Sequence, residues 1–96
     1  MFLITYHCKP GKNYKGKPVA GAYVNCYIKR NKFEIADRIS REHILKSDWI
    51  VKKLEDVSKI NLSFYKTSNA SGIEYYKQAL IDKEVFVFYN YPKKKK

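Results

Sequence analysis

Hydrophobic and polar positions along this 96-residue chain follow two periods, and the change between them marks its elements. Phe2–Cys8 (FLITYHC) is a run of β-branched and aromatic residues and predicts a strand. Ala22–Lys29 (AYVNCYIK) alternates, with Ala22, Val24, Cys26 and Ile28 on one side and Tyr23, Asn25, Tyr27 and Lys29 on the other. Successive strand side chains point to opposite faces, so this is a half-buried strand. Lys9–Pro18 between them holds two glycines, two prolines and four lysines, with Tyr14 its only apolar residue. That composition predicts a loop.

Beyond residue 30 the period becomes helical. Phe33, Ile35, Ala36, Ile39, His43 and Ile44 share one stripe of a helical wheel, while Asp37, Arg38 and Arg41 point away from it. Asn31 is the expected cap, with Glu34 completing a box, and the helix should stop near Ser47–Asp48. Trp49–Leu54 predicts a further strand. A less regular stretch runs on to Lys66, in which the alternation of Leu62 and Phe64 with polar neighbours suggests a short edge strand. Thr67–Gly72 is a turn cluster, and Ser71-Gly-Ile-Glu74 opens a second helix to about Ile81 with Ile73, Tyr76, Ala79 and Leu80 inward. Glu84–Tyr91 (EVFVFYNY) is apolar on both faces, as in a central strand covered on both sides or an aromatic open face, and Pro92 ends it.

The order β-β-α-β-(β)-α-β predicts a two-layer α+β sandwich: a mainly antiparallel sheet of four or five strands with two helices on one face, a ferredoxin-like variant. Residues 1–92 are expected to form one domain, and 93–96 a disordered basic tail. A chain this short buries roughly 60–65% of its unfolded surface, enough for one modest core but little room for an enclosed cavity.

Binary patterning also sets the register of the first hairpin. Pairing Tyr6 with Val24, Ile4 with Cys26 and Cys8 with Ala22 gathers apolar partners on one side. It sets His7 opposite Tyr23, Thr5 opposite Asn25 and Leu3 opposite Tyr27 on the other; a slip of one residue would mix the faces. Cys8 and Cys26 then lie about 13 Å apart, too far for a disulfide, and are expected to be buried thiols.

Charge changes the picture by its position. The first acidic residue is Glu34, by which point seven lysines and arginines have passed; residues 34–84 hold nine basic and nine acidic side chains. The formal charge of +11 therefore lies in residues 1–33 and in Lys93–Lys96. Such a localised positive field suits an anionic partner. Tyr23, Asn25 and Tyr27 occupy the outer face of the second strand, with Lys9, Lys12, Lys15 and Lys17 before it and Lys29, Arg30 and Lys32 around its end. Flat aromatics stack on bases, amides read base edges and lysines neutralise phosphates. The expectation is a non-enzymatic binding protein for RNA or single-stranded DNA.

A protein-interaction module, as a homodimer or as a cover for an acidic site on another protein, is the alternative. A small ribonuclease is the second alternative, with His7 the catalytic candidate and Tyr27 positioning the sugar. His43, on the helical stripe, is expected to be structural. No cofactor or metal is expected, since neither C-x-x-C nor paired-histidine spacing occurs, and no phosphate-binding P-loop is present. With no apolar run near the roughly 20 residues of a membrane span, no membrane partner is expected and the cytoplasm is the default location.

Overall fold

The computed structural model describes residues 1–16, 18–68 and 72–93, the side chains of 66–68 excepted. Lys17, residues 69–71 of the turn cluster (with Ser71 of the second capping box) and tail residues 94–96 lie outside the described residues. The chain forms β1 (Phe2–Pro10), β2 (Gly21–Ile28), α1 (Phe33–Lys46), β3 (Trp49–Lys59), α2 (Leu62–Ser68), α3 (Ile73–Asp82) and β4 (Glu84–Tyr91). Four strands make one antiparallel open sheet in the order β3-β1-β2-β4, and three helices complete an α+β fold. Its centre is the β1–β2 hairpin, in the register that patterning predicts, from Phe2 opposite Ile28 to Cys8 opposite Ala22.

The first face of the sheet carries the main core. Phe2, Ile4, Tyr6 and Cys8 of β1 meet Ala22, Val24, Cys26 and Ile28 of β2 under Ala36 and Ile44 of α1, with Trp49 at the rim. Helix α1 buries Ala36 and Ile44 of the expected stripe together with Ser40 and leaves Phe33, Ile35, Ile39 and His43 half-buried; its cap is Lys32 rather than Asn31, and no side-chain hydrogen bond closes it. Asp37 also differs from expectation. Tyr6 is fully buried, and its hydroxyl reaches the helix flank to donate to Asp37 Oδ1 at 2.6 Å, where Arg41 Nε also donates at 2.8 Å. A buried tyrosine needs a partner for its polar end, and this one recruits a half-exposed carboxylate.

The second face corrects the expectation of helices on one side only. Tyr27 and Leu3 pack with Val85 and Val87 of β4 beneath Tyr76 and Ala79 of α3 and Tyr65 of α2, forming a separate core. Helix α1 thus lies on one face of the sheet, and α2 and α3 on the other. The segment 62–68 is helical, where an edge strand was expected from Leu62 and Phe64. Asn61 caps it by accepting from the Phe64 backbone N–H at 3.1 Å. Leu80, expected inward, is 43% exposed. Strand β4 is an edge strand, not a central one, and its two apolar faces reflect a sheet packed on both sides.

The two edges differ in build. Strand β3 shifts register against β1 at Thr5/Tyr6 and again at His7/Cys8, so Glu55 and Lys52 are inserted residues without a direct partner. Such bulges twist a strand and re-aim its side chains. Strand β4 pairs with β2 without interruption from Glu84 to Tyr91.

Candidate functional site

Alternation along the strands lays out the second face as a grid. Its columns are Leu3, Thr5, His7 and Lys9 on β1; Tyr27, Asn25, Tyr23 and Gly21 on β2; and Val85, Val87, Tyr89 and Tyr91 on β4. Helices α2 and α3 cover the end with Leu3, Tyr27 and Val85. The opposite end is open, and one row crosses the whole sheet there: Lys53, His7, Tyr23 and Tyr89. Tyr23 is 42% and Tyr89 47% exposed.

Three rings organise the open end. The His7 imidazole stacks on Tyr23 with centroids 4.6 Å apart and planes within 14°. Tyr91 leans over both, 5.8 Å from each, and its hydroxyl shares a 2.5 Å hydrogen bond with His7 Nε2. The lean depends on Gly21, Tyr91's partner across the ladder. A Cβ at Gly21 would overlap the Tyr91 phenol and lie 2.7 Å from the Cys8 carbonyl oxygen. On the other side of His7, Nδ1 lies 4.0 Å from Glu55 Oε1, the carboxylate that the first β3 bulge swings toward the sheet centre. One row further in, Thr5 Oγ1 donates to Asn25 Oδ1 at 2.8 Å, and the Asn25 side chain also hydrogen-bonds the Tyr27 phenol.

Of the expected binding residues, the structure gathers Tyr23 and Asn25 with His7, and puts Lys9 next along the same column. Lys12 and Lys15 are exposed in the loop that follows. Lys93 lies across a surface hollow from Lys9, beside Tyr14 and Pro18. Tyr27 does not belong to this group. It is 2% exposed, packed 5.7 Å from Tyr75, with its hydroxyl beneath Gly72, and burial pushes its phenol up to about 12. Lys29, Arg30 and Lys32 stand beyond α3, around a separate hollow of about 630 Å³ floored by Ile35, Ile60, Tyr76 and Leu80. There the Lys29 ammonium donates to the Leu80 carbonyl oxygen at 3.4 Å, near the C-terminal end of α3 where a cation is favoured.

Sequence reasoning joins Tyr89 to the face of Tyr23 but misses Lys53, Glu55 and Tyr91 as parts of the same surface. The pattern of β4 shows that Tyr89 and Tyr91 share a face, but nothing local pairs that strand with β2. The ribonuclease set is not assembled: Tyr27 is buried away from His7, and Tyr91 occupies the Nε2 nitrogen. Both cysteines are free and buried, and burial raises Cys8 to about 11 and Cys26 to about 12, so neither is poised as a nucleophile. Among the described residues no group of three or more His, Cys, Asp or Glu could hold a metal ion, and no helix is long and apolar enough to cross a membrane. Comparison with models of protein families, with curated proteins and with solved structures finds no match.

Proposed function

We propose that the protein binds single-stranded RNA or DNA on the open end of the second face, without catalysis. The supporting observation is the row Lys53–His7–Tyr23–Tyr89, which sets two exposed tyrosines side by side on a rigid sheet with cations at its rim. Strands pack about 4.8 Å apart, so the row spans about 14 Å. Bases stack on the tyrosine rings, while Lys9, Lys12, Lys15 and Lys53 neutralise phosphates. The chain's excess positive charge draws the strand in from a distance.

Helix α3 alters the path expected from sequence. A strand running along β2 from the lysine loop to Lys29, Arg30 and Lys32 would meet α3 halfway, whereas one crossing the strands along the open row meets α3 only at its Tyr89 end, where Tyr75 stands beside Tyr89. Fluorescence anisotropy with a labelled mixed-sequence oligonucleotide, read at several salt concentrations, tests both binding and path. Affinity should fall with salt, and Lys12→Gln with Lys15→Gln should flatten the log–log slope by roughly 0.7 for each phosphate that is no longer neutralised. Tyr23→Ala should weaken binding about 5- to 150-fold. The pair Arg30→Gln and Lys32→Gln should leave the slope nearly unchanged, and the oligonucleotide should be recovered intact. Absent or salt-insensitive binding overturns the proposal.

A further inference from the structure

Both sheet edges lack a neighbour among the described residues, yet only one is protected. Strand β3 has two bulges and carries Lys52, Lys53, Glu55, Asp56 and Lys59, features that blunt an edge against pairing with another strand. Strand β4 has neither: from Val85 to Tyr91 it contains no charge, no proline and no bulge. Val85, Phe86, Val87 and Phe88 are all only half-buried, because the sheet stops at them.

The free backbone groups can be assigned. The Lys29 N–H donates to the Lys83 carbonyl at 2.8 Å, so Lys83 directs its carbonyl toward β2. Antiparallel ladders alternate, so Glu84, Phe86, Phe88 and Asn90 direct their N–H and C=O groups away from β2. No backbone partner satisfies these four residues on the outer side among the described residues. Exposed unpaired strand groups of this kind are a template for a further strand.

We infer that β4 pairs antiparallel with β4 of a second copy of this chain, joining two sheets into one of eight strands. A two-fold axis normal to the sheet keeps each face continuous, so residues of like parity must oppose one another. With the axis at Val87, Phe86 faces Phe88 of the second copy, Val85 faces Tyr89, Glu84 faces Asn90 and Lys83 faces Tyr91. Every pair is apolar, or sets a charge against a neutral partner, and about eight backbone hydrogen bonds form. With the axis at Phe88 instead, Lys83 opposes Lys93 and Phe86 opposes Asn90, so the first register is selected. The paired span itself carries only Glu84, but Lys83 and Lys93 flank it, so the contact should strengthen as salt screens these lysines.

Sedimentation and cross-linking test the inference without any nucleic acid, so its outcome is separate from that of the binding proposal. The chain should sediment at twice its 11.4 kDa mass and dissociate on dilution. Asn90→Pro removes an outward N–H while sparing the β2 ladder, so the monomer should fold; its self-association should weaken at least about tenfold, while Asn90→Ala retains it. Val87→Cys places two thiols across the axis and should give a disulfide dimer under mild oxidation. Val85→Cys should not, because Val85 faces Tyr89 of the second copy rather than itself. A chain that stays monomeric at its highest soluble concentration overturns the inference. A dimer that ignores Asn90→Pro and does not cross-link through Val87→Cys also overturns it, because its contact lies elsewhere.

Discussion

The two faces of this sheet are built from the same strands, yet one is closed along its length and the other over only one end. On the first face every inward residue of the central hairpin, from Phe2 to Cys8 and from Ala22 to Ile28, is at most 5% exposed. On the second face the same strands pass from Leu3 and Tyr27, packed under α2 and α3, to His7 and the 42%-exposed Tyr23 within four residues. Burial on this scaffold is therefore a property of position along a strand as well as of the face it presents. A closed face can specify the fold, and an open end, held in register by the closed one, can display chemistry.

The largest effects should come from setting these regions against each other by truncation. Ile4 has no exposed surface and sits at the centre of the first core. Ile4→Ala should cost about 2–5 kcal/mol in denaturant unfolding, a large part of the stability of a domain this small. Tyr23→Ala, in the same hairpin, should change stability by no more than about 1 kcal/mol, since it gives up mainly the stack on His7. Equal losses at the two positions would break the comparison, by showing that the open end carries folding energy.

A smaller effect is expected from Gly21→Ala, which touches the joint between the regions. Its new Cβ must displace the Tyr91 phenol and press on the Cys8 carbonyl oxygen, so a loss of about 1–3 kcal/mol is expected. The His7–Tyr91 hydrogen bond should be lost with it, read as a change in the His7 ring NMR signals. An unchanged imidazole spectrum would mean that Gly21 is not what lets Tyr91 reach His7.

Strict period-2 patterning made the hairpin legible, because a one-residue slip would have turned the apolar set of one strand, Ile4 and Tyr6 or Val24 and Cys26, away from that of its partner. Helix α1 was legible from its stripe, although its N-terminus was not: Asn31 has the right side chain for a cap, but Lys32 takes the position. The two-sided helix placement was also written in the chain, at Val85–Phe88 and at Leu3, where both parities are apolar; only the partner of that second apolar set lay out of reach of local pattern. Alternation failed at Leu62–Phe64 because a span of three residues does not separate a strand from one turn of helix. The irregular period of β3 came from bulges, and the bulge that brings Glu55 to His7 leaves no composition signal. The open row therefore had to be assembled from long-range strand pairing.

The smallest and sharpest contrast is one chemical change made once on each face: removal of a tyrosine hydroxyl. Tyr6 and Tyr65 are both buried, at 0% and 6% exposure. The Tyr6 hydroxyl donates to the Asp37 carboxylate at 2.6 Å, whereas the Tyr65 hydroxyl is buried with no hydrogen-bond partner among the described residues. A buried hydrogen bond to a charged acceptor contributes about 1.5–3 kcal/mol, so Tyr6→Phe should destabilise by that order. A buried hydroxyl without a partner has given up its hydration for nothing in return, so Tyr65→Phe should leave stability unchanged or raise it by up to about 1 kcal/mol. Unfolding both variants under one set of conditions should give opposite or clearly unequal shifts in midpoint. A loss at Tyr65→Phe as large as that at Tyr6→Phe would mean that the Tyr65 hydroxyl is satisfied in solution, and that the core under α2 and α3 is as completely paired as the one under α1.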